Sequence, residues 1–192
     1  NRAQDQPIPE QNLVLHLAAA LMQKGYSVYG EADLPKSGRI DLLACNARSG
    51  LLVEAATFGS INTAKLLADA KRLEKYRPQC PWKLQSRRHP AEFWNCLDEH
   101  WAMVVVLCFS VDHLTGCWRS LLDERKLEES LGAPGVKDIR AFRDGRREAM
   151  RELGRFLRAR STHIGVIPVL GEELWERVMP LWIMWASWPI DR

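Results

Sequence analysis

Two carboxylates, Asp41 and Glu54, are embedded in adjoining apolar runs, RIDLLAC (39–45) and LLVEAATF (51–58). Acids set in segments this apolar lose hydration and repel one another unless a cation neutralises them. Oxygen donors of this kind suit Mg²⁺ or Mn²⁺, which take one or two carboxylates and complete their shell with waters or substrate oxygens. The backbone carbonyl of Ala55 is a further oxygen donor between the two positions. Position 56 is Ala, where a positive side chain would complete the constellation. The competing reading is that each acid is simply partnered by an arginine such as Arg39.

The chemistry requires elements that bring the acids together. The turn-like NARSG (46–50) joins the two runs into a hairpin. Strand side chains alternate faces with period two, so Asp41, Glu54 and residue 56 are expected on one side of the sheet. Upstream, residues 9–24 form an expected helix with Pro9 in its first turn and Gly25 as its stop. Glu10 falls in line with Val14, Leu17 and Leu21, either as an auxiliary acid at the core edge or as a charge complementing the helix dipole. Residues 26–34 read as a strand carrying Glu31, and 62–77 as a helix burying Leu66, Leu67, Ala70 and Leu73. Residues 101–110 form a fully apolar strand, expected to be central. The order α-β-β-β-α-β fits a mixed sheet flanked by helices, an antiparallel meander followed by a parallel crossover.

Glu10, Ile40-Asp41 and Glu54-Ala55-Ala56, in this order and on these element types, resemble the PD-(D/E)xK or restriction-endonuclease-like nuclease superfamily. The match covers residues 9–110. The resemblance implies an α/β core of that type, with Asp41 and Glu54 holding Mg²⁺ or Mn²⁺ and Glu10 as an auxiliary acid. It also implies DNA as partner and hydrolysis of phosphodiesters by a metal-bound water. The family motif places Lys where Ala56 stands. Loss of one positioned electrostatic group typically costs ~10²–10³ in rate, so this chain is expected to be inactive or nearly so. Three explanations stand: an engineered knock-out of EAKTF, a natural pseudonuclease, or a cation moved to the next helix, with Lys71 or Lys65 the candidates. The alternative function is a non-catalytic protein- or DNA-binding module, such as an immunity, antitoxin or assembly protein on a degenerate nuclease fold, with a protein partner or a homodimer.

Beyond residue 115 the chain reads as an α-rich C-terminal extension (116–192) packed on the nuclease-like core (1–115). One helix is expected over 113–129, another over 144–160, and an edge strand over 164–170, where Pro168 removes a donor. The tail 172–188 mixes helical and alternating patterns. On the second helix Arg147, Arg151, Arg155 and Arg158 recur opposite its apolar face. Such a ridge, joined by Arg87 and Arg88, can track phosphates; the competing reading is a solvated face laced by Glu148 and Glu152. Cys80, His89, Cys96 and His100 include one pair four apart that could chelate zinc, but the other spacings match no finger. Four tryptophans crowd the C-terminus, to stack on bases, fill a partner's groove, or fill the core.

Composition narrows the class. A chain of 192 residues with 46% apolar content is long enough for one α/β domain with a real core and is not disordered. Its longest apolar stretches, 101–109 and 181–186, are too short to span a bilayer. Residues 1–6 lack the apolar segment of a secretory leader, and five cysteines fit a reducing, cytoplasmic setting. A net charge of +3 permits an acidic partner without requiring one.

Overall fold

A computed structural model describes residues 10–34, 38–57, 63–74, 97–109, 112–134, 146–168 and 181–190. The elements in chain order are α1 (Glu10–Gln23), β1 (Ser27–Leu34), β2 (Gly38–Cys45), β3 (Ser49–Thr57), α2 (Thr63–Glu74), β4 (Glu99–Phe109), α3 (Asp112–Arg119), α4 (Glu124–Gly132), α5 (Arg146–Arg158), β5 (His163–Pro168) and β6 (Leu181–Pro189). They form a mixed α/β fold around a six-stranded sheet of order β1-β2-β3-β4-β6-β5.

The expected meander and crossover are both present. β1, β2 and β3 pair antiparallel in sequence. The β2–β3 turn is closed by Asn46, whose Oδ1 accepts the N–H groups of Arg48 and Ser49, each at 2.8 Å, an Asx turn that mimics a backbone turn. β3 then pairs parallel with β4, a connection that needs a crossover element, here supplied by α2. β4 is buried on both faces because its apolar run never alternates with polar residues. Val104, Val106 and Cys108 join the layer containing α2 to α5, while Val105 and Leu107 join the layer under α1.

Two expectations fail for identifiable reasons. Residues 113–129 form two helices, α3 and α4. Asp123 has extended backbone (φ −121°, ψ 110°) and its side chain accepts from the Lys126 N–H, so it starts a new helix instead of continuing the old one. The C-terminal part is helix-rich as expected, but it is not merely packed on the sheet, because β5 and β6 belong to the sheet itself. β6 enters the sheet between β4 and β5, and its register with β4 runs continuously from Trp101↔Pro189 to Phe109↔Leu181. The apolar alternation of 181–189 therefore belongs to a strand of the common sheet.

The tryptophans of β6 are packing residues. Trp188 is 1% exposed and meets Phe156 edge-on, with centroids 5.5 Å apart. The Trp118 indole donates to the Trp185 carbonyl at 3.1 Å. The Trp185 ring lies over Gly165, where an added Cβ would come within 2.3 Å of the indole nitrogen. β5 is the edge strand expected from Pro168. No helix among the described residues is long and apolar enough to cross a membrane.

Candidate functional site

The β2–β3 ladder ends one step before the two acids. The last recorded pair is Leu42↔Val53; past it, Asp41 and Glu54 are near enough for the Asp41 charge to act on Glu54. There the strand pairing is replaced by a side chain: Asp41 Oδ2 accepts the Ala55 N–H at 2.7 Å. A backbone donor that the ladder leaves unpaired is thereby satisfied. Leu52 and Ala56 flank Glu54 on β3 and both belong to the α2-side core, which places Glu54 on that face. On β2, Ile40 and Leu43 also belong to this core, so strict alternation breaks at Ile40–Asp41. Asp41 sits at that break, partly exposed.

α2 adds two groups that the sequence pattern had not singled out. Arg72 Nη2 lies 2.5 Å from Glu54 Oε1 and 3.4 Å from Asp69 Oδ1. Glu54 is 5% and Asp69 8% exposed. Burial pushes the Glu54 carboxyl up to about 8; the Asp41 charge pushes the same way, and Arg72 pulls against both. Burial also raises Asp69, with Lys65 and Arg72 opposing and Asp41 adding. Three carboxylates thus influence one another across β2, β3 and α2, and the Arg72 contact does not offset their desolvation. Arg72 Nε is buried without a hydrogen-bond partner among the described residues. Asp69 could have been found from sequence, because it lies within the Leu66–Leu67–Ala70–Leu73 stripe where an acid is out of place.

Other candidate residues fare differently. Ala56 is 2% exposed and packed in the core, two residues along the same face as Glu54. Lys71 is on the surface, 3.8 Å from Glu152, and Lys65 is exposed while acting on Asp69. The cation that meets Glu54 from α2 is therefore Arg72, neither of the two lysines. Glu10 is the first residue of α1, and its side chain lies outside the described set. Arg39 reaches Glu31 at 3.4 Å on the surface.

The arginine ridge is tied down by acids. Arg151 grips Glu128 of α4 through two nitrogens at 2.7 and 3.0 Å and also meets Glu148 at 3.3 Å. Arg155 pairs with Glu148 at 3.0 Å, and Arg158 with Glu124 at 3.7 Å and the Leu121 carbonyl at 3.0 Å. Glu148 laces this face as the competing reading expects, joined by Glu124 and Glu128 of α4, while Glu152 pairs with Lys71 instead. Arg147 is partly exposed on the same helix. Arg87, Arg88, Cys80, His89 and Cys96 lie outside the described residues, and His100 is buried in β4. The buried Cys108 and Cys117 thiols are pushed up to about 12 and 11 by burial, which keeps them protonated and unsuited to nucleophilic work.

The donors Asp41, Glu54 and Asp69 are hard oxygens, the right type for Mg²⁺ or Mn²⁺. No group of three His, Cys, Asp or Glu side chains poised to hold a metal occurs among the described residues. Burial, more than the neighbouring charges, is what raises the Glu54 carboxyl. No family model, curated protein or solved structure matches this chain.

Proposed function

We propose that this chain carries a nuclease-type site on a restriction-endonuclease-like core, directed at DNA phosphodiesters and slow as its sequence stands. The supporting observation is the meeting of Asp41 and Glu54 where the β2–β3 ladder stops, beside Asp69, in a cluster where burial raises the Glu54 carboxyl. Asp41 and Glu54 are the residues that would hold Mg²⁺ or Mn²⁺, and the bound ion would supply an activated water and charge stabilisation at phosphate. The chain's own groups then have separate tasks. Asp41, anchored by the Ala55 N–H, keeps a fixed orientation. Arg72 holds Glu54 and brings a guanidinium beside the acids, the kind of group that stabilises charge developing on a phosphoryl oxygen. Ala56 offers no such charge, so cleavage by the chain as it stands is expected to be slow.

A second reading is favoured by the Arg72–Glu54 contact: a non-catalytic binding module in which the arginine closes a degenerate site. One experiment separates them. The wild-type chain, Ala56→Lys and the double variant Ala56→Lys/Asp41→Ala are titrated with Mn²⁺ by calorimetry and assayed on plasmid and linear DNA. The nuclease reading expects Mn²⁺ binding by the wild type and a gain of about 10²-fold in cleavage with Ala56→Lys, lost in the double variant. Thermal melting accompanies the assay, because a lysine at this core position must reach past apolar neighbours. A folded Ala56→Lys protein that binds Mn²⁺ no better than buffer and cleaves nothing supports the module instead.

A further inference from the structure

A cavity of about 540 Å³ opens between α1 and the start of the sheet, lined by Gln11, Val14, Leu15, Gly30, Glu31 and Asp41. Asp41 belongs both to this wall and to the acidic cluster, so anything held in the cavity is adjacent to the proposed site of chemistry. Building on the nuclease-type reading, we propose that this cavity takes a single unpaired nucleobase bearing an exocyclic amine (cytosine, adenine or guanine) from a single-stranded nucleic acid.

The lining selects for this chemistry. Val14 and Leu15 give an apolar wall, and Leu15 is 66% exposed, a surface a flat ring can cover. Glu31 and Asp41 are acceptors and Gln11 can both donate and accept. The charged groups among its described lining residues are the two carboxylates, which favour an amine that donates to them. Carboxylates accept from cytosine N4 in this way, whereas thymine has no exocyclic amine and sets its single ring N–H between two carbonyls that they repel. The volume falls within the range of small-ligand sites. Arg39, ion-paired to Glu31, brings positive charge to the rim, where the strand's phosphate would run.

The backbone also bends toward this use. β1 pairs with β2 at Gly30↔Leu42 and Ala32↔Ile40 but skips Glu31, which has φ +47°. This interruption lies opposite Asp41 and turns Glu31 toward the cavity it lines. Gly30 lines the cavity, and an added Cβ there would meet nothing within 4 Å, so this is the position at which to narrow it.

The test uses the full chain in EDTA, so that binding is read apart from any metal. Fluorescence anisotropy is measured with short labelled oligo-dC, oligo-dA and oligo-dT and with oligo-rC and oligo-rU, the ribose pair separating RNA from DNA as the source. The expected result is that dC and dA bind roughly tenfold tighter than dT, the discrimination of one good base-edge contact. Gly30→Leu should abolish that preference with its melting temperature unchanged. Glu31→Gln should narrow it, because an amide can donate to thymine. Equal affinity for dC and dT, or a preference that survives Gly30→Leu, overturns the proposal. If Mn²⁺ binds but no oligonucleotide shows a base preference, the cavity assignment fails alone. If base preference is found without Mn²⁺ binding, the metal-site reading fails alone.

Discussion

Two charged regions of this molecule follow opposite rules. In the α4–α5 region, Arg151, Arg155 and Arg158 meet Glu124, Glu128 and Glu148 on a surface open to water. In the β2–β3–α2 region, Glu54 and Asp69 are buried and share Arg72, with Asp41 close enough to push Glu54 upward. The first is balanced and solvated, so each contact is worth little. The second is unbalanced and has two of its acids buried, so each change is costly. Charge density along the sequence drew attention to the first region; burial makes the second the candidate site.

The largest break in this comparison is expected from Arg72→Ala. Removing one partner of a buried pair typically costs about 3–5 kcal/mol. Because 36% of the Arg72 side chain reaches solvent, a loss of about 2–3 kcal/mol in urea denaturation at pH 9 is the reasonable expectation after allowing for screening. The loss should shrink at pH 6, where Glu54 carries a proton and asks less of its partner. A cost that is small and independent of pH would place the acidic cluster in the same class as the surface network.

Glu54→Gln is the next step down. In the metal-free protein the folded carboxyl titrates at about 8 instead of its ordinary 4.5. The folded state therefore keeps a proton that the unfolded chain has released. The stabilisation is complete below the ordinary value and is lost as pH rises through about 8, with a slope of up to about 1.4 kcal/mol per pH unit for one group. Glu54→Gln should make that decline shallower between pH 5 and 8, seen as melting temperatures that fall less with pH than those of the wild type. A wild-type curve that rises over this interval would contradict the cluster as described.

Sequence pattern captured the part of the molecule governed by local periodicity. The hairpin, the α2 crossover and the buried β4 follow from alternation, turn residues and a continuous apolar run. The helix over 113–129 was misjudged because apolar spacing continued through Asp123, whose capping role depends on backbone conformation. β6 was unreadable because three tryptophans fit a helix face or a strand equally well until the partner strand is known. At the site, Asp41 and Glu54 were legible as acids in apolar runs. Arg72 was not, since a helix residue beside a buried stripe reads as solvated, and its reach to Glu54 is set by how α2 packs on β3. The arginines of α5 were overvalued because their partners, Glu124 and Glu128, come from another helix.

The smallest expected effect sharpens the other side of the comparison. Arg151 makes a two-pronged contact with Glu128 and a third with Glu148, and the hydrogen bond to Arg151 holds Glu128 below the usual carboxylate range. That geometry is the best a surface pair can offer, yet Arg151 and Glu128 are 34% and 47% exposed. Arg151→Ala is therefore expected to cost about 0.5–1 kcal/mol in urea denaturation, near the upper end for exposed pairs. Most of that should vanish in about 1 M salt, where the screening length falls to roughly 3 Å. The guanidinium already has its acceptors, so the same variant should leave oligonucleotide affinity within about twofold, whereas loss of a phosphate-tracking arginine would reduce both affinity and its salt slope. A stability loss matching that of Arg72→Ala, or a marked fall in nucleic-acid affinity, would mean that α5 does more than brace α4.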